Sequence, residues 1–222
     1  MIWFIVGFIV VGAVYTWYSN SQDYKKQKEK RSLMIDNQNE IIFHLRENNL
    51  ENCKRYISRD YSCGIVYDEE KDELMFISKK HTRKDGVYVY NYNTINASQL
   101  ISAELIIDNQ TILNTSRTSQ IGGALVGGMV AGGIGAIVGG LSGSKIKNEN
   151  VNRVDMRIRV EDIDNPLIKI NFLSPTNFET GQVMKNGYKR DSSEVRTAFN
   201  HAERWQGIME TLIRQQNKVV NS

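Results

Sequence analysis

The glycine-rich apolar run over residues 121–143 constrains this chain more than any other segment. It reads IGGALVGGMVAGGIGAIVGGLSG and interrupts sequence that otherwise alternates between apolar and polar residues. On a helix, glycines spaced four residues apart leave one face without side chains, so another backbone can approach closely. In water each such glycine costs about 1 kcal/mol of helix propensity relative to alanine. The run therefore indicates helix packing or membrane contact through Gly123, Gly127, Gly128, Gly132, Gly135, Gly139 and Gly143.

Two nucleotide-binding motifs are the alternatives for a glycine-rich loop. A phosphate-binding loop needs a lysine followed directly by serine or threonine, whereas Lys145 is followed by Ile146. After Gly133 and Gly135 the next glycine is Gly139, which misses the dinucleotide-binding spacing. The run is therefore assigned to apolar packing, and no cofactor is predicted.

The strands on both sides of the run are expected to belong to one sheet, so both ends of the run must emerge on the same side of a membrane. A straight helix over residues 121–143 would reach roughly 34 Å and cross a bilayer once. Two arms of about ten residues would each reach near 15 Å, too short to cross. We therefore predict a helical hairpin that dips into the membrane or packs against other copies.

The N-terminal segment IWFIVGFIVVGAVYTWY, residues 2–18, carries no charge and has tryptophan near both ends. About 17 to 25 apolar residues cross a bilayer as a helix, and aromatic side chains favour its interfaces. A cleaved signal peptide, the alternative, requires a basic segment before the apolar run and a small-residue cleavage site after it. Neither feature is present, so we predict a retained transmembrane anchor over residues 1–19.

Basic residues follow the apolar run rather than precede it. By the positive-inside rule, this predicts a single-pass protein of the cell membrane with its N-terminus outside and its C-terminal domain in the cytoplasm. The cluster can also contact lipid headgroups, where each exposed Lys or Arg contributes about 1 kcal/mol. A simple stop-transfer flank is the alternative. The cluster consists of Lys25, Lys26, Lys28, Lys30 and Arg31.

Residues 20–61 are polar with raggedly spaced apolar positions, which predicts a juxtamembrane linker of one or two short helices with Cys53 buried in helix. From residue 63 the apolar period changes to two. Acidic residues 68–73 read as a solvated hairpin turn, and Asp108-Asn109 as a second turn. About six or seven antiparallel strands are expected, including one whose alternate residues Val154, Met156, Ile158 and Val160 share a face.

The chain then ends in an amphipathic helix and a short tail, residues 218–222. Asp191 and Glu194 have the spacing of a helix-capping box. A helix with a continuous apolar stripe must bury it against a sheet, which makes Trp205 a core anchor. The stripe consists of Val195, Ala198, Phe199, Ala202, Trp205, Ile208, Met209, Leu212 and Ile213.

A curved antiparallel sheet, or partial barrel, with a C-terminal amphipathic helix resembles pleckstrin-homology-like (PH-like) domains. We predict such a domain over residues 62–217, of which roughly residues 63–215 are similar to membrane-anchored bacterial and phage proteins of this type that contain a glycine-zipper insert. The resemblance implies an α+β fold and an anchored binding module rather than a reaction. The segments that carry it are GIVYDEEKDELMFI, ISAELIIDNQTI with TSR, the glycine run, VDMRIRV and AERWQGIMETLI.

Composition also bears on which classes of function are expected. A net charge of +3 does not call for nucleic acid, and two cysteines with three scattered histidines make no zinc motif. No nucleophile, metal or paired acid–base motif is recognisable, so no catalytic residue, metal ligand or enzyme activity is predicted.

The leading hypothesis is a non-enzymatic membrane-tethered binding or scaffold module. Its expected partners are membrane lipids, other copies of the chain and a protein not identifiable from sequence. The alternative is a membrane-active effector, of the pore-forming, superinfection-exclusion or holin-like kind, whose hairpin inserts into the bilayer.

Overall fold

The structure of the protein is a computed structural model that describes residues 2–117, 150–177 and 183–220. Within these residues, helix α1 spans Ile2–Glu47, helix α2 spans Ser193–Val220, and one 3-10 turn covers Ala97–Gln99. The strands are β1 (Lys54–Ile57), β2 (Cys63–Asp68), β3 (Glu73–Thr82), β4 (Tyr88–Asn96), β5 (Leu100–Ile107), β6 (Gln110–Ser116), β7 (Asn150–Val151), β8 (Val154–Val160), β9 (Leu167–Leu173) and β10 (Tyr188–Lys189).

Helix α1 is continuous, whereas the sequence pattern predicted an anchor followed by one or two short helices. Neither glycine nor proline occurs between Ala13 and Cys63, so no helix-breaking residue interrupts that stretch. The ragged apolar spacing was misread as breaks, because α1 packs on the first sheet through few apolar side chains, such as Ile41 and Leu45, and so shows no continuous stripe. Cys53 also differs from its prediction, since it lies in the turn before β1 rather than in a helix.

The end of α1 is set by Asn49, whose backbone adopts the left-handed conformation with φ of 58°. The Leu50 N–H donates to the Leu45 carbonyl at 2.8 Å, and the Asn49 N–H donates to the Arg46 carbonyl at 3.1 Å. This pair of bonds is a Schellman motif, which satisfies carbonyls that the helix end leaves open. Leu45 and Leu50 belong to the same buried apolar cluster, which completes the motif.

The predicted transmembrane anchor forms the first part of α1. Among the residues that the structure describes, no helix is both long enough and apolar enough to cross a bilayer. The uncharged run over residues 2–18 is at the short limit for a crossing helix, and α1 continues past it into charged sequence from Asp23. The transmembrane part of the predicted fold is therefore not confirmed.

Two four-stranded antiparallel sheets form the body of the domain. The first has the order β1-β2-β3-β4, the second has the order β6-β5-β8-β9, and β7 pairs with β10 in a separate two-stranded ribbon. The second predicted turn is confirmed, because Asp108 and Asn109 connect β5 and β6 with φ of 47° and 68°. Apolar side chains from both sheets and from α2 share one core. The α+β architecture with antiparallel sheets and a C-terminal helix thus agrees with the sequence.

The described residues contain more strands than the sequence pattern indicated. The additional strands are β1, with four residues, and β7 and β10, with two residues each. Strands this short contain too few alternations for a period of two to be recognised. Their pairing depends on neighbours that are distant in sequence, so the pattern alone did not reveal them.

Strand β8 of the second sheet shows the predicted alternation of apolar and polar residues, but one of its polar residues is buried. Val154, Met156, Ile158 and Val160 are buried on the core side. Asp155, on the opposite face, is only 3% exposed because polar partners cover it. Its carboxylate accepts hydrogen bonds from Arg153 Nε and Asn171 Nδ2, both at 2.7 Å, and pairs with Lys169 Nζ at 2.9 Å.

Helix α2 packs its apolar stripe into the core, and Trp205 is 1% exposed, which confirms its prediction as a core anchor. The buried members of the stripe are Val195, Ala198, Phe199, Ala202, Trp205, Met209, Leu212 and Ile213. The N-cap is Ser192 rather than Asp191, because the helix begins at Ser193. The Ser192 hydroxyl accepts the Val195 N–H at 3.3 Å.

Candidate functional site: a basic helical arm and the ends of a glycine-rich insertion

The basic residues predicted to contact lipid lie on α1, before the helix reaches the domain. Lys25, Lys26, Lys28 and Arg31 are exposed and Lys30 is half-buried. None of the salt bridges between described residues involves these five side chains. Their charges therefore remain available to an external partner.

The C-terminal quarter of α1 is held on the outer face of the first sheet. Ile41 and Leu45 are almost fully buried there against Val66, Met75 and Ile77 of β2 and β3. The opposite face of the same strands, with Ile65, Leu74 and Phe76, belongs to the main core. The first sheet is thus covered on both faces, and α1 is attached to a rigid layer.

Polar and aromatic contacts fix the rotation of α1 on this sheet. The His44 ring stacks on Tyr92 with centroids 3.5 Å apart and planes at 11°. Burial lowers the pKa of His44 and raises the pKa of Tyr92 to about 12, so both rings are neutral near pH 7. The side-chain oxygen of Asn37 accepts the Tyr88 N–H at 2.7 Å. Burying Asn37 without such a partner would cost free energy, so this bond specifies one register.

The glycines predicted for self-association or membrane contact lie outside the residues that the structure describes, as does the predicted hairpin over residues 121–143. They are Gly123, Gly127, Gly128, Gly132, Gly135, Gly139 and Gly143. The structure describes the chain on both sides of this insertion, residues up to 117 and from 150 onward.

The chain enters the insertion from β6 of the second sheet and returns through β7, which pairs with β10, before it re-enters the second sheet at β8. Ser116, at the end of β6, pairs with Ser102 near the start of β5. Val154, at the start of β8, pairs with Ile107 at the end of β5. At about 3.3 Å per residue, these two points lie roughly 17 Å apart along one strand.

Arg117 fastens the outgoing end of the insertion. Its N–H donates to the Ile101 carbonyl at 3.1 Å, and its guanidinium pairs with Glu161 at 2.7 Å. The guanidinium also donates to the Ser98 carbonyl. The chain therefore leaves the sheet from a position bonded to three separate segments.

Asp108 fastens the returning end. Its Oδ1 accepts the N–H groups of Asn152 at 2.9 Å and of Arg153 at 2.8 Å. Because Asp108 lies in the β5–β6 turn, one short turn orders the chain just before β8. Sequence reasoning identified Asp108 only as a turn residue, since its second role depends on a contact across 44 positions.

The described residues offer little for covalent or metal chemistry. No group of three metal-ligating side chains occurs among them. Burial raises the pKa of the Cys63 thiol, whose sulfur accepts the Asn171 N–H at 3.4 Å. Burial also raises the pKa of Cys53. Both cysteines are thus thiols rather than reactive thiolates at neutral pH.

A small cleft of about 120 Å³ lies between the end of α1 and the first sheet, with His44, Asp68 and Glu73 in its wall. The Asp68 carboxylate already has partners within the turn, because it pairs with Lys71 at 2.9 Å and accepts the Glu70 N–H at 3.0 Å. The hydrogen bond from Lys71 holds the pKa of Asp68 below its usual range. The acidic stretch is therefore an ordered turn, as the sequence indicated, but Asp68 itself is buried rather than solvated.

Glu203 on α2 is a buried carboxyl that sequence reasoning did not identify. It is 4% exposed, and neither carboxylate oxygen has a hydrogen-bond partner. Burial raises the pKa of Glu203 to about 7. From the sequence, a glutamate beside the apolar stripe of a helix is expected to be exposed to solvent. Only the packing of α2 shows that this side chain is covered.

Comparison with known proteins identifies relatives over more than half of the chain. Residues 54–174 match the family described as the glycine zipper containing PH domain. The chain is 44% identical over 159 residues to the immunity protein of Bacillus phage SPbeta, an alignment that covers 72% of this chain and 74% of that protein. It is equally similar to the SPbeta prophage-derived uncharacterized membrane protein YomJ of Bacillus subtilis (strain 168), of which it covers 65%. No solved structure matches the chain.

The matched segment includes both sheets, their connections and the whole glycine-rich insertion. It covers more than half of the chain, and the relation to the phage immunity protein extends over more than two thirds of both lengths. The resemblance noted in the sequence is thereby confirmed. This chain belongs to the family of PH domain proteins that contain a glycine zipper.

Proposed function

We propose that this protein is a non-enzymatic module that acts at the bacterial cell membrane in phage immunity, and that its glycine-rich insertion contacts lipid or other copies of the chain. The observation that carries the proposal is the 44% identity to a phage protein named for immunity, over 72% of this chain. A second relative of equal identity is named as a membrane protein.

The attachment of the insertion supports this function. The strands that flank the insertion, β6 and β8, pair with β5 at points roughly 17 Å apart, and several hydrogen bonds hold the chain on each side. A straight helix over residues 121–143 would be about 34 Å long and would overshoot the return point. A hairpin returns the chain toward its origin, and the flanking residues can cover the remaining gap. The sheet then acts as a platform that presents the insertion.

The N-terminal arm supports action at a membrane. We propose that residues 2–18 associate with the bilayer, with the N-terminus outside and the basic residues of α1 on the cytoplasmic side. Carbonate-resistant sedimentation of the full-length chain, and its loss on deletion of residues 2–18, is the expected result. Secreted protein processed near Ser19 would contradict this part of the proposal.

The decisive experiment is phage challenge of a Bacillus subtilis strain that lacks the SPbeta prophage and expresses the full-length chain. Expression should reduce plaque formation by Bacillus phage SPbeta. Leucine at Gly128, Gly132 or Gly135 should abolish the protection, because bulk on the glycine face prevents close backbone contact. Leucine at Ala131 or Ile137 is the matched control within the same run and should be milder.

Leucine is apolar and a better helix former than glycine, so neither polarity nor helix propensity explains a selective loss at the glycines. Equal tolerance at all five positions would contradict a role for the zipper. Crosslinking in membranes reports self-association, and dye release from vesicles reports insertion. Protection accompanied by dye release would favour the membrane-active effector over the scaffold.

A further inference from the structure

The β3–β4 hairpin carries a second group of basic residues, and the fold brings it to α1. Lys79, Lys80, His81, Arg83 and Lys84 are all exposed in this hairpin. They are separated by about 50 positions from the basic cluster of α1, and the sequence pattern gave no reason to join the two groups.

Three contacts hold the tip of this hairpin against α1. Gly86 has φ of 91° and lies so close to α1 that a Cβ there would be 2.9 Å from Leu33 Cδ2. The Tyr88 N–H donates to Asn37 Oδ1 at 2.7 Å. Arg83, which also pairs with Asp85, approaches Glu40 at 3.4 Å. The hairpin thus extends along α1 as far as Leu33.

Two lysines continue the same face of α1 beyond the hairpin tip. Lys26, Lys30, Leu33 and Asn37 follow one another at intervals of four, three and four residues, which places them on one side of a helix. Since Leu33 and Asn37 contact the hairpin, Lys26 and Lys30 lie directly past its tip. Lys80 and Lys84 lie on the hairpin itself. We call these four lysines the composite basic surface.

This surface carries charge that the described domain does not neutralise. None of the salt bridges between described residues involves the four lysines. Residues 23–31 hold five basic side chains against two acidic ones, and residues 79–85 hold four against one, so the two segments together carry +6. The whole chain carries +3, which leaves −3 for everything else. The positive charge is therefore concentrated in these two segments of the chain, with Asp36 and Glu40 of α1 as the acidic residues near Arg83.

We propose that the composite basic surface binds an anionic phospholipid bilayer and inclines α1 toward the membrane on the side of the β3–β4 hairpin. This inference rests on the proposed action at the membrane and defines which surface of the domain faces the lipid. The occupant is a lipid surface rather than a single headgroup, because the four lysines are spread over a helix and a hairpin and do not surround a pocket.

The tilt of α1 follows from the distance between the membrane and the β3–β4 hairpin. Leu33 lies 15 residues after Tyr18, which corresponds to about 22 Å along the helix axis. If α1 stood perpendicular to a membrane that ends at Tyr18, the hairpin would be held well beyond the Debye length of about 8 Å. Its lysines would then contribute nothing. They bind lipid only if α1 leans toward them.

The test is lysine acetylation, read by mass spectrometry, of the full-length protein reconstituted into phosphatidylcholine vesicles with and without phosphatidylserine. Lys26, Lys30, Lys80 and Lys84 should react about fivefold more slowly in the anionic vesicles, the factor expected for about 1 kcal/mol per basic residue. The protection should disappear at about 1 M salt, where the Debye length is near 3 Å. Soluble inorganic phosphate should give no protection.

Lys71 is the internal control. It is 55% exposed but lies in the β2–β3 turn, at the opposite end of β3 from the basic hairpin, so its rate should not depend on lipid charge. Lys80→Glu with Lys84→Glu should also remove the protection of Lys26 and Lys30, because α1 would no longer incline. Both substituted positions are exposed and should leave the fold intact.

Vesicle sedimentation in the same samples separates the two proposals. Protein that sediments with vesicles but shows equal rates at the four lysines in both lipids would overturn the composite surface while membrane action stands. Protection by phosphate alone would indicate a soluble anion site and also overturn it. Protein that does not sediment even with anionic vesicles would overturn both.

Discussion

Helices α1 and α2 are both long and both pack against a sheet of the same domain, yet they are attached in different ways. Helix α2 buries an apolar stripe from Val195 to Ile213 in the main core. The contacts that the structure describes between helix α1 and the first sheet begin at Leu33 and use few apolar residues, supplemented by Asn37 and His44. The comparison shows that α2 is part of the fold, whereas α1 is an arm that the fold holds and directs.

Trp205→Ala should have the largest effect, because it opens a cavity in the core that α2 shares with both sheets. We expect the free energy of unfolding to fall by about 3 to 5 kcal/mol, measured by chemical denaturation. Trp17→Ala, at a position 72% exposed on α1, is the matched control and should change little. A stable Trp205→Ala protein would show that α2 is not part of the folded core.

Ile41→Ala should detach the arm without unfolding the domain. Its side chain is fully buried against the first sheet, so about 2 to 4 kcal/mol of docking energy should be lost. Amide hydrogen exchange should accelerate in residues 37–47 and remain slow in β8. Phe43→Ala, 59% exposed on the same helix, should have no such effect. Faster exchange throughout both sheets would mean that α1 belongs to the cooperative core.

Glu203→Gln should stabilise the protein in a pH-dependent way. The pKa of Glu203 is about 7 in the folded state, above its ordinary value of 4.5. The contribution of Glu203 to the free energy of unfolding is therefore fully present below about pH 4.5 and is lost as the pH rises through about 7.

The amide variant does not ionise, so it should be more stable than the natural protein by about 3 kcal/mol near pH 8 and nearly equal to it near pH 4. Thermal melts across this pH range provide the measurement. Glu210→Gln, at a solvent-accessible site about two turns further along α2, is the control. An equal pH dependence in both variants would exclude Glu203 as its source.

Asn49→Ala should have the smallest effect of the four. Its left-handed backbone at the end of α1 costs alanine roughly 1 kcal/mol, whereas glycine adopts it freely. Asn49→Gly should therefore match the natural protein in hydrogen exchange of residues 44–47. If alanine and glycine behave alike, the Schellman motif is not what ends α1.

The strands and α2 could be predicted because their signals are local. The alternation around Met156, the Asp108-Asn109 turn and the stripe containing Trp205 each depend on residues that are close in sequence. The same pattern did not reveal that Asp155 and Glu203, polar residues outside the predicted apolar sets, are buried. Burial of this kind depends on what other segments cover, which a periodic pattern does not contain.

The glycine-rich run, the basic cluster and the PH-like family were evident from the sequence itself, because spacing, charge and motif order are properties of the chain. The tertiary structure alone decided where these features lie relative to one another. It pairs both strands that flank the insertion, β6 and β8, with β5, and it brings the face of α1 that carries Lys26 and Lys30 to a hairpin about 50 residues away. The physical reason is that such contacts depend on how the sheets close around one core and which face of a sheet remains open to a helix, and these follow from packing over the whole chain rather than from any short segment.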